Sequence, residues 1–198
     1  MIQKHLARMG TAFMIAAVAA CQGDGATAPT TVATAPSVKL EVVSPDVPAS
    51  VLTRTAPLAA DSTVSKVIGP LGGTLQVPGG LTVVVPHFAV DHYVTVTATA
   101  LAGRAVAYEF GPHGTTFNVP LVMMQDLHGT AGAALTALGS TEIGYFSDRS
   151  HLNDDTNRAS ISEFLPATLS ASVRNRVLLY TVKHFSGYVI VTGRNPNP

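Results

Sequence analysis

The stretch Tyr108–Leu121, YEFGPHGTTFNVPL, decides the fold of this chain. An aromatic-rich run ends at Phe110, a Gly-Pro-His-Gly turn follows, and a second apolar run begins with Pro120 near its start. Glycine and proline mark turns, whereas short aromatic and β-branched runs favour strands. The stretch therefore predicts two strands joined by a turn, with Phe110 and Phe117 pointing into the core.

Short apolar runs separated by turn residues continue on both sides of this stretch, from about Val64 to Gly193. Tyr93–Leu101 alternates, with valine and alanine on one face and threonine on the other, which indicates a strand with one solvated face. About nine short strands with turns roughly every 8–12 residues predict an all-β antiparallel β-sandwich or barrel. The predicted runs are Val64–Ile68, Thr74–Val77, Leu81–Val85, Tyr93–Leu101, Ala105–Phe110, Val119–Gln125, Ser140–Phe146, Ile161–Leu165, Arg176–Lys183 and Gly187–Val191.

The composition excludes several classes of protein. The 198 residues are 46% apolar and 12% charged, which allows a single domain with a substantial core and excludes a wholly disordered chain. The formal net charge is zero and no cluster of Lys and Arg is present, so a nucleic-acid partner is not expected. Cys21 is the single cysteine, so no intramolecular disulfide holds the fold.

The N-terminus has the pattern of an exported protein. Lys4 and Arg8 precede a short apolar run, and the small residues Val18–Ala20 lead directly to Cys21. A basic segment followed by an apolar run of this length is typical of a signal peptide. The residues before Cys21 resemble the lipobox of bacterial lipoproteins, which implies cleavage before Cys21 and acylation of that cysteine. An ordinary signal peptide with a chance cysteine, or a buried cytosolic cysteine, is the alternative.

Lipidation of Cys21 makes the membrane the expected partner. Two or three acyl chains, at about 0.8 kcal/mol per buried CH₂, anchor a protein stably, whereas one chain is marginal. Loss of Lys4 and Arg8 leaves 10 basic and 12 acidic residues, a mature charge of 10 − 12 = −2. The domain is expected to be exported and held at the cell membrane or the outer membrane. Gln22 after the cysteine favours the outer membrane by analogy with familiar Gram-negative lipoproteins.

A tether is expected between the anchor and the globular domain. From Gln22 to Ser37, 13 of 16 residues are Ala, Thr, Pro, Gly or Ser, with no apolar period. Val38–Val43 reads as a short strand, and irregular chain is expected from Ser44 to Ser62. Packing of Val38–Leu58 on the domain as an edge strand is the alternative. The predicted organisation is a signal peptide over 1–20, a lipidated cysteine and disordered tether over 21–62, a β-sandwich over 63–193 and a frayed tail over 194–198.

Several short motifs, taken in order, resemble the ZU-five domain, a β-sandwich found in ankyrins, netrin receptors and zonula-occludens proteins. The resemblance extends over Val64–Val191, and bacterial lipoproteins carry similar modules. It implies an interaction or structural role. His87-Phe88 departs from the small-residue step that the family has at this place. The motifs are Gly72-Gly73-Thr74-Leu75, Leu81–Pro86 followed by Ala89, Val94-Thr95-Val96, Tyr108–Leu121 and His184-Phe185-Ser186.

The same resemblance supplies one candidate for chemistry. Some relatives cut their own backbone between the Phe and Ser of the last motif, which implies scission between Phe185 and Ser186, with Ser186 as nucleophile and His184 as its helper. Attack of a hydroxyl on the preceding carbonyl needs a strained peptide and a nearby base. The plainer interpretation, which we favour, is that Phe185 fills the core while His184 and Ser186 hydrogen-bond at the start of the last strand.

The polar segment Asp148–Arg158 contains residue types of a metal site or a hydrolase without the pattern of either. The spacing matches neither a calcium-binding EF-hand nor a zinc motif, and no Gly-x-Ser-x-Gly elbow is present. A solvated loop is therefore expected, with no metal and no cofactor. The candidates are Ser147, Asp148, Ser150, His151, Asn153, Asp154 and Asp155, and the loop histidines His87, His92 and His113 lie elsewhere.

These observations predict a lipid-anchored β-sandwich module of the cell envelope with a non-enzymatic interaction or structural role. Sheet edges or end loops, including Asp148–Arg158, would contact an envelope protein that the sequence does not identify. A domain that cleaves itself at Phe185–Ser186 is the first alternative. An envelope module that binds a glycan or a metal is the second, although the lack of tryptophan argues against a glycan-stacking surface.

Overall fold

The computed structural model describes residues 46–134, 141–171 and 176–195. In these residues the chain forms fifteen β-strands and two short 3-10 helices, Ala131–Ala134 and Arg149–His151. The prediction of an all-β protein is confirmed, whereas the count of about nine strands is too low. In chain order the strands are β1 Val47–Val51, β2 Thr53–Leu58, β3 Ser62–Ile68, β4 Gly73–Val77, β5 Leu81–Val85, β6 Val94–Ala100, β7 Gly103–Ala105, β8 Ala107–Gly111, β9 Thr116–Asp126, β10 Glu142–Phe146, β11 Leu152–Asn153, β12 Arg158–Ile161, β13 Glu163–Ala171, β14 Arg176–His184 and β15 Gly187–Arg194.

The strands build two antiparallel layers around one main core. The first layer has the order β3-β6-β8-β15-β10-β13, and the second has the order β13-β14-β9-β5-β4. β13 belongs to both layers, because residues 163–166 pair with β10 and residues 167–171 pair with β14. This change of partner within one strand closes one side of the sandwich. The separate pair β2-β7 lies outside this arrangement.

Alternating side chains of the second layer form the main core. The period of two residues places every second residue of β5, β9 and β14 on the inner face. The intervening residues of these strands are partly or fully exposed. The inward side chains are Leu81, Val83 and Val85 of β5, Leu121 and Met123 of β9, and Leu178, Tyr180 and Val182 of β14.

β15 is buried on both of its faces. Tyr188 and Ile190 enter the main core, whereas Val189 and Val191 enter a second, smaller core. β1 and β12 cover this second core with Ala49, Val51, Ala159 and Ile161. A strand covered on both sides reads as a continuous apolar run rather than as an alternation, which explains the sequence GYVIV.

Residues 46–62 belong to the folded domain, so the prediction of irregular chain from Ser44 to Ser62 is wrong over this range. β1 pairs with β12 and β15, and Ala49 lies opposite Arg194. β2 pairs with β7. The physical reason is burial, because Ala49, Val51 and Leu52 cover apolar surface that β15 would otherwise expose. The domain therefore begins before residue 63. The alternative that this segment packs on the domain is correct, although β1 pairs on both sides with β12 and β15 and is not an edge strand. Residues 1–45, including the predicted signal peptide and Cys21, lie outside the described residues.

The C-terminal boundary also differs from the predicted tail over 194–198. Arg194 ends β15 and holds Glu142 through two charged hydrogen bonds of 2.7 and 2.6 Å. The Asn195 N–H donates to the Pro48 carbonyl at 2.8 Å. Pairing with β1 orders these residues, and β1 is the strand that the sequence pattern did not indicate. Residues 196–198 lie outside the described part of the chain.

The Tyr108–Leu121 stretch connects the two layers. β8 pairs with β6 and β15, whereas β9 pairs with β5 and β14. Phe110 and Phe117 are both buried in the main core, as predicted. β9 begins at Thr116 rather than near Pro120, and Pro120 lies where the register with β14 shifts. An irregularity of this kind tolerates the missing N–H of proline.

Candidate functional site

Phe185 closes the main core between β14 and β15. Its side chain is 1% exposed, and its ring stacks on Phe110 with centroids 5.6 Å apart. Phe117 meets the same ring edge-on at 4.7 Å. The Phe185 N–H donates to the Thr115 carbonyl at 2.9 Å, and the Phe185 carbonyl accepts from the Gly114 N–H at 3.3 Å. The motif thus fastens the turn after β8 to the end of β14.

The structure does not join His184 to Ser186. His184 Nδ1 lies 3.3 Å from the Tyr188 hydroxyl, which donates to the His184 carbonyl at 2.8 Å. The imidazole packs edge-on against Tyr145, with ring centroids 5.6 Å apart. Ser186 is buried, and its backbone carbonyl accepts from the Phe110 N–H at 3.0 Å. His184 thus contacts Tyr145 and Tyr188, and Ser186 bonds the backbone of β8, which is consistent with the interpretation in which both residues hydrogen-bond at the start of the last strand.

The segment Asp148–Arg158 is held by its own polar groups. Asp148 Oδ1 accepts from the Ser150 N–H at 2.8 Å, and hydrogen bonds from Ser150 lower the pKa of Asp148. The Asp154 carboxylate accepts from the N–H groups of Arg104 and Ala105, each at 3.2 Å. These carboxylates support backbone turns instead of converging on a common point.

The remaining candidates of that segment do not converge either. His151 Nδ1 lies 3.4 Å from Asp46 Oδ2, and Asn153 Oδ1 accepts from the Thr156 N–H at 2.9 Å. Ser147 and Asp155 are exposed. In the ranges that the structure describes, no three His, Cys, Asp or Glu side chains come close enough to hold a metal ion.

The exposed large hydrophobic side chains of the described residues lie in or beside three segments that backbone hydrogen bonds join at one end of the sandwich: the turn between β3 and β4, the loop between β5 and β6, and the start of β9. This end carries the turn between β3 and β4 and the loop between β5 and β6, and we call it the apolar end surface. The Phe88 N–H donates to the Pro70 carbonyl at 2.8 Å, which ties the loop to the turn. The members, with their exposed fractions, are Val67 62%, Leu71 75%, Phe88 68%, Tyr93 76% and Val119 36%.

Close contacts to the backbone hold the turn and the loop of the apolar end surface in place. A Cβ on Gly69 would lie 2.5 Å from a carbon of the Tyr93 ring, so the ring rests directly on that glycine. Gly72 has φ of +72°, and a Cβ there would lie 2.2 Å from the Val85 carbonyl oxygen. The Asn118 N–H donates to the Ala89 carbonyl at 3.0 Å, which joins the start of β9 to the same loop. The surface is therefore preorganised by the fold.

Phe88 has a backbone conformation that is unusual for its residue type. Its φ is 60°, in the left-handed region, which costs a residue with a Cβ about 1–2 kcal/mol. Its ring is 68% exposed, so burial in the core does not offset this cost. Strained residues with exposed side chains are found disproportionately at ligand-facing positions. Phe88 is thus a candidate contact residue, at the place where the chain departs from the ZU-five pattern.

The loop histidines surround this end without forming a cluster. His87 packs edge-on against Phe88 at 6.4 Å between ring centroids. His92 hydrogen-bonds Asp91, and this contact is the main reason that the Asp91 pKa is lowered. A cleft of about 440 Å³ separates residues 89–94 from residues 114–118, and His113 lines a smaller one of about 140 Å³. The cleft is lined by mixed polar and apolar groups from the loops before β6 and β9 and from the first residues of these two strands.

Comparison with known proteins adds no family and no function to these structural observations. No protein-family model matches the chain, and no curated protein gives a significant match. The ZU-five resemblance therefore remains a prediction from motifs, while the all-β architecture stands on the structure itself. No helix in the described ranges has the length and apolar character needed to cross a membrane.

A buried arginine is a feature that the sequence did not indicate. Arg54 is 5% exposed, and its Nη1 donates to the carbonyls of Leu101 and Ala105. Its guanidinium lies 5.8 Å from the Tyr108 ring centroid. The Tyr108 hydroxyl donates to Gln125 Oε1 at 2.8 Å, and burial raises the pKa of Tyr108. Arg54 follows a stretch rich in proline and small residues, and only the pairing of β2 with β7 brings it inside.

Proposed function

We propose that this protein is a lipid-anchored β-sandwich module of the cell envelope with a non-enzymatic interaction role. The observation that carries the proposal is the apolar end surface, where Leu71, Phe88 and Tyr93 are each at least 68% exposed. Contiguous exposed apolar side chains with a polar rim mark interaction sites in soluble domains. The small residues before Cys21 support the anchor, and the motifs around Tyr108–Leu121 support a ZU-five-like module.

The geometry favours interaction over catalysis. The two loops of the end surface are held by backbone hydrogen bonds, such as that from Phe88 to Pro70, so little ordering cost remains on binding. By contrast, His184 contacts the Tyr188 hydroxyl, and the carboxylates of Asp148 and Asp154 are engaged by backbone N–H groups. The proposed contact surface is therefore the apolar end rather than the polar segment Asp148–Arg158.

Metabolic labelling with palmitate tests the anchor. We expect the label on the wild-type chain and none on Cys21→Ser, because Cys21 is the only thiol in the chain. Gln22→Ala is the matched control, since it changes the neighbouring residue and keeps the thiol. Label that persists without Cys21, or a wild-type chain that takes up none, contradicts the anchor.

A further inference from the structure

We propose that the apolar end surface docks onto the face of a lipid bilayer. This inference rests on the proposed function, because the lipid anchor is what would hold the domain near a bilayer. It adds that the folded domain itself makes a second, oriented contact, through Leu71, Phe88 and Tyr93.

The shape and chemistry of the surface fit a bilayer. Leu71 lies in the turn between β3 and β4 and Phe88 in the loop between β5 and β6, so both side chains project from loop tips rather than line a groove. Phenylalanine and leucine suit the acyl boundary, and tyrosine suits the headgroup level because its ring is apolar and its hydroxyl polar. Asp91 is the only acidic residue between Gly69 and Val94, and His92 hydrogen-bonds it.

The length of the chain before β1 keeps the domain near the membrane. Cys21 precedes Asp46, the first described residue, by 46 − 21 = 25 positions. Even a fully extended chain of that length spans at most about 90 Å, so lipid on Cys21 confines the domain to this distance. Confinement raises the effective concentration of the bilayer at the domain, and a small contact surface then suffices for docking.

The backbone at Phe88 supports a role for its ring outside the fold. Asparagine and glycine tolerate φ near 60° better than phenylalanine, so fold stability alone does not explain this residue. An aromatic ring that is 68% exposed on a strained backbone is explained if the ring contacts a ligand. A planar apolar boundary is a ligand that several neighbouring loop tips reach together.

Tryptophan fluorescence tests the docking, because the chain contains no tryptophan of its own. The lipidated Phe88→Trp chain is reconstituted in phosphatidylethanolamine–phosphatidylglycerol vesicles, with and without brominated acyl chains. We expect a blue-shifted emission that the brominated lipid quenches. Leu71→Ser in the same background should lower the ratio of docked to undocked protein about tenfold, as expected for one apolar side chain removed from the contact.

His128→Trp is the matched control at the other end of the sandwich. Position 128 follows the end of β9, and this strand of 11 residues spans about 33 Å from Thr116 to Asp126. Its emission should be unaffected by brominated lipid. Equal quenching at both positions, or none at position 88, overturns the proposal. Capture of an envelope protein that depends on Phe88, without quenching at position 88, also overturns it and leaves the interaction role intact.

The Cys21→Ser background separates this proposal from the anchor. Quenching at position 88 in Cys21→Ser chains added to vesicles supports docking even if palmitate labelling shows no lipid on Cys21. If palmitate labels the protein but brominated lipid does not quench the tryptophan at position 88, the anchor is supported and the docking proposal is overturned.

Discussion

Phe88 combines an exposed ring with a left-handed backbone, and its stability cost is measurable. We expect Phe88→Asn to raise the free energy of unfolding by about 0.5–1 kcal/mol, because asparagine tolerates φ near 60° and little packing is lost. Urea denaturation measures the change. Tyr93→Asn is the control, since Tyr93 is 76% exposed in the same loop and has no positive φ. Equal gains in both variants contradict the assignment of strain to Phe88.

Phe185 and Ser186 differ sharply in what the fold requires of them. Phe185→Ala should destabilise the protein by about 3–5 kcal/mol, because a ring in contact with Phe110 and Phe117 leaves a cavity in the core. Ser186→Ala should change stability by less than about 1 kcal/mol, since it removes a single oxygen atom and keeps the backbone hydrogen bond from the Phe110 N–H to the carbonyl of residue 186. Thermal unfolding measures both variants.

Mass spectrometry of the denatured protein should show one intact chain with no break after Phe185. Two fragments, one ending at Phe185 and one beginning at Ser186, would contradict the structural interpretation of these residues.

At the scale of elements, β1 is the strand whose role differs most from expectation. Val51→Asp should destabilise the protein by about 3 kcal/mol or more, because the carboxylate would enter the second core without a partner. Val67→Asp is the matched control, because Val67 is 62% exposed where Val51 is 6% exposed, and it should stay within about 0.5 kcal/mol. Chemical denaturation compares them, and equal effects would show that β1 is not part of the folded unit.

The pairing of β15 and β13 makes the strands of the sandwich depend on each other. β15 pairs with β10 along one edge and with β8 and then β1 along the other. β13 links the two layers by its change of partner. Neither strand completes its hydrogen bonds with sequence neighbours alone, so the sandwich forms only when segments far apart in the chain meet.

For the whole molecule, buried tyrosines predict loss of stability in alkali. Burial raises the pKa values of Tyr108, Tyr180 and Tyr188 above the ordinary value of 10.0. The unfolded chain therefore loses these protons first, and stability that is complete below pH 10 falls as the pH rises further. The free energy of unfolding should then fall by up to about 4 kcal/mol per pH unit if all three tyrosines contribute.

Urea unfolding at pH 8 and pH 11, with tyrosinate absorbance followed in parallel, checks this expectation. Tyr180→Phe should reduce the slope by roughly a third, because one of the three protons is removed from the balance. Equal stability at the two pH values, or early ionisation of all tyrosines in the folded protein, contradicts the burial of these side chains.

The all-β class and most of the apolar strands could be predicted from the sequence, because alternation along a strand is a local property. Leu81–Val85 has the predicted bounds, and Phe110 and Phe117 point inward as the turn between them predicts. The interpretation of Phe185 as a core residue likewise followed from its apolar side chain beside a turn.

Long-range packing, by contrast, sets which polar or proline-rich segments become strands and which apolar side chains stay exposed. β1 is a strand because Ala49 lies opposite Arg194, 145 positions along the chain, where 194 − 49 = 145. Leu71, Phe88 and Tyr93 are ordinary apolar residues in the sequence, and only the meeting of two loops makes them one surface. The physical reason is that burial and strand pairing depend on partners distant in sequence, whereas periodicity reports only on neighbours.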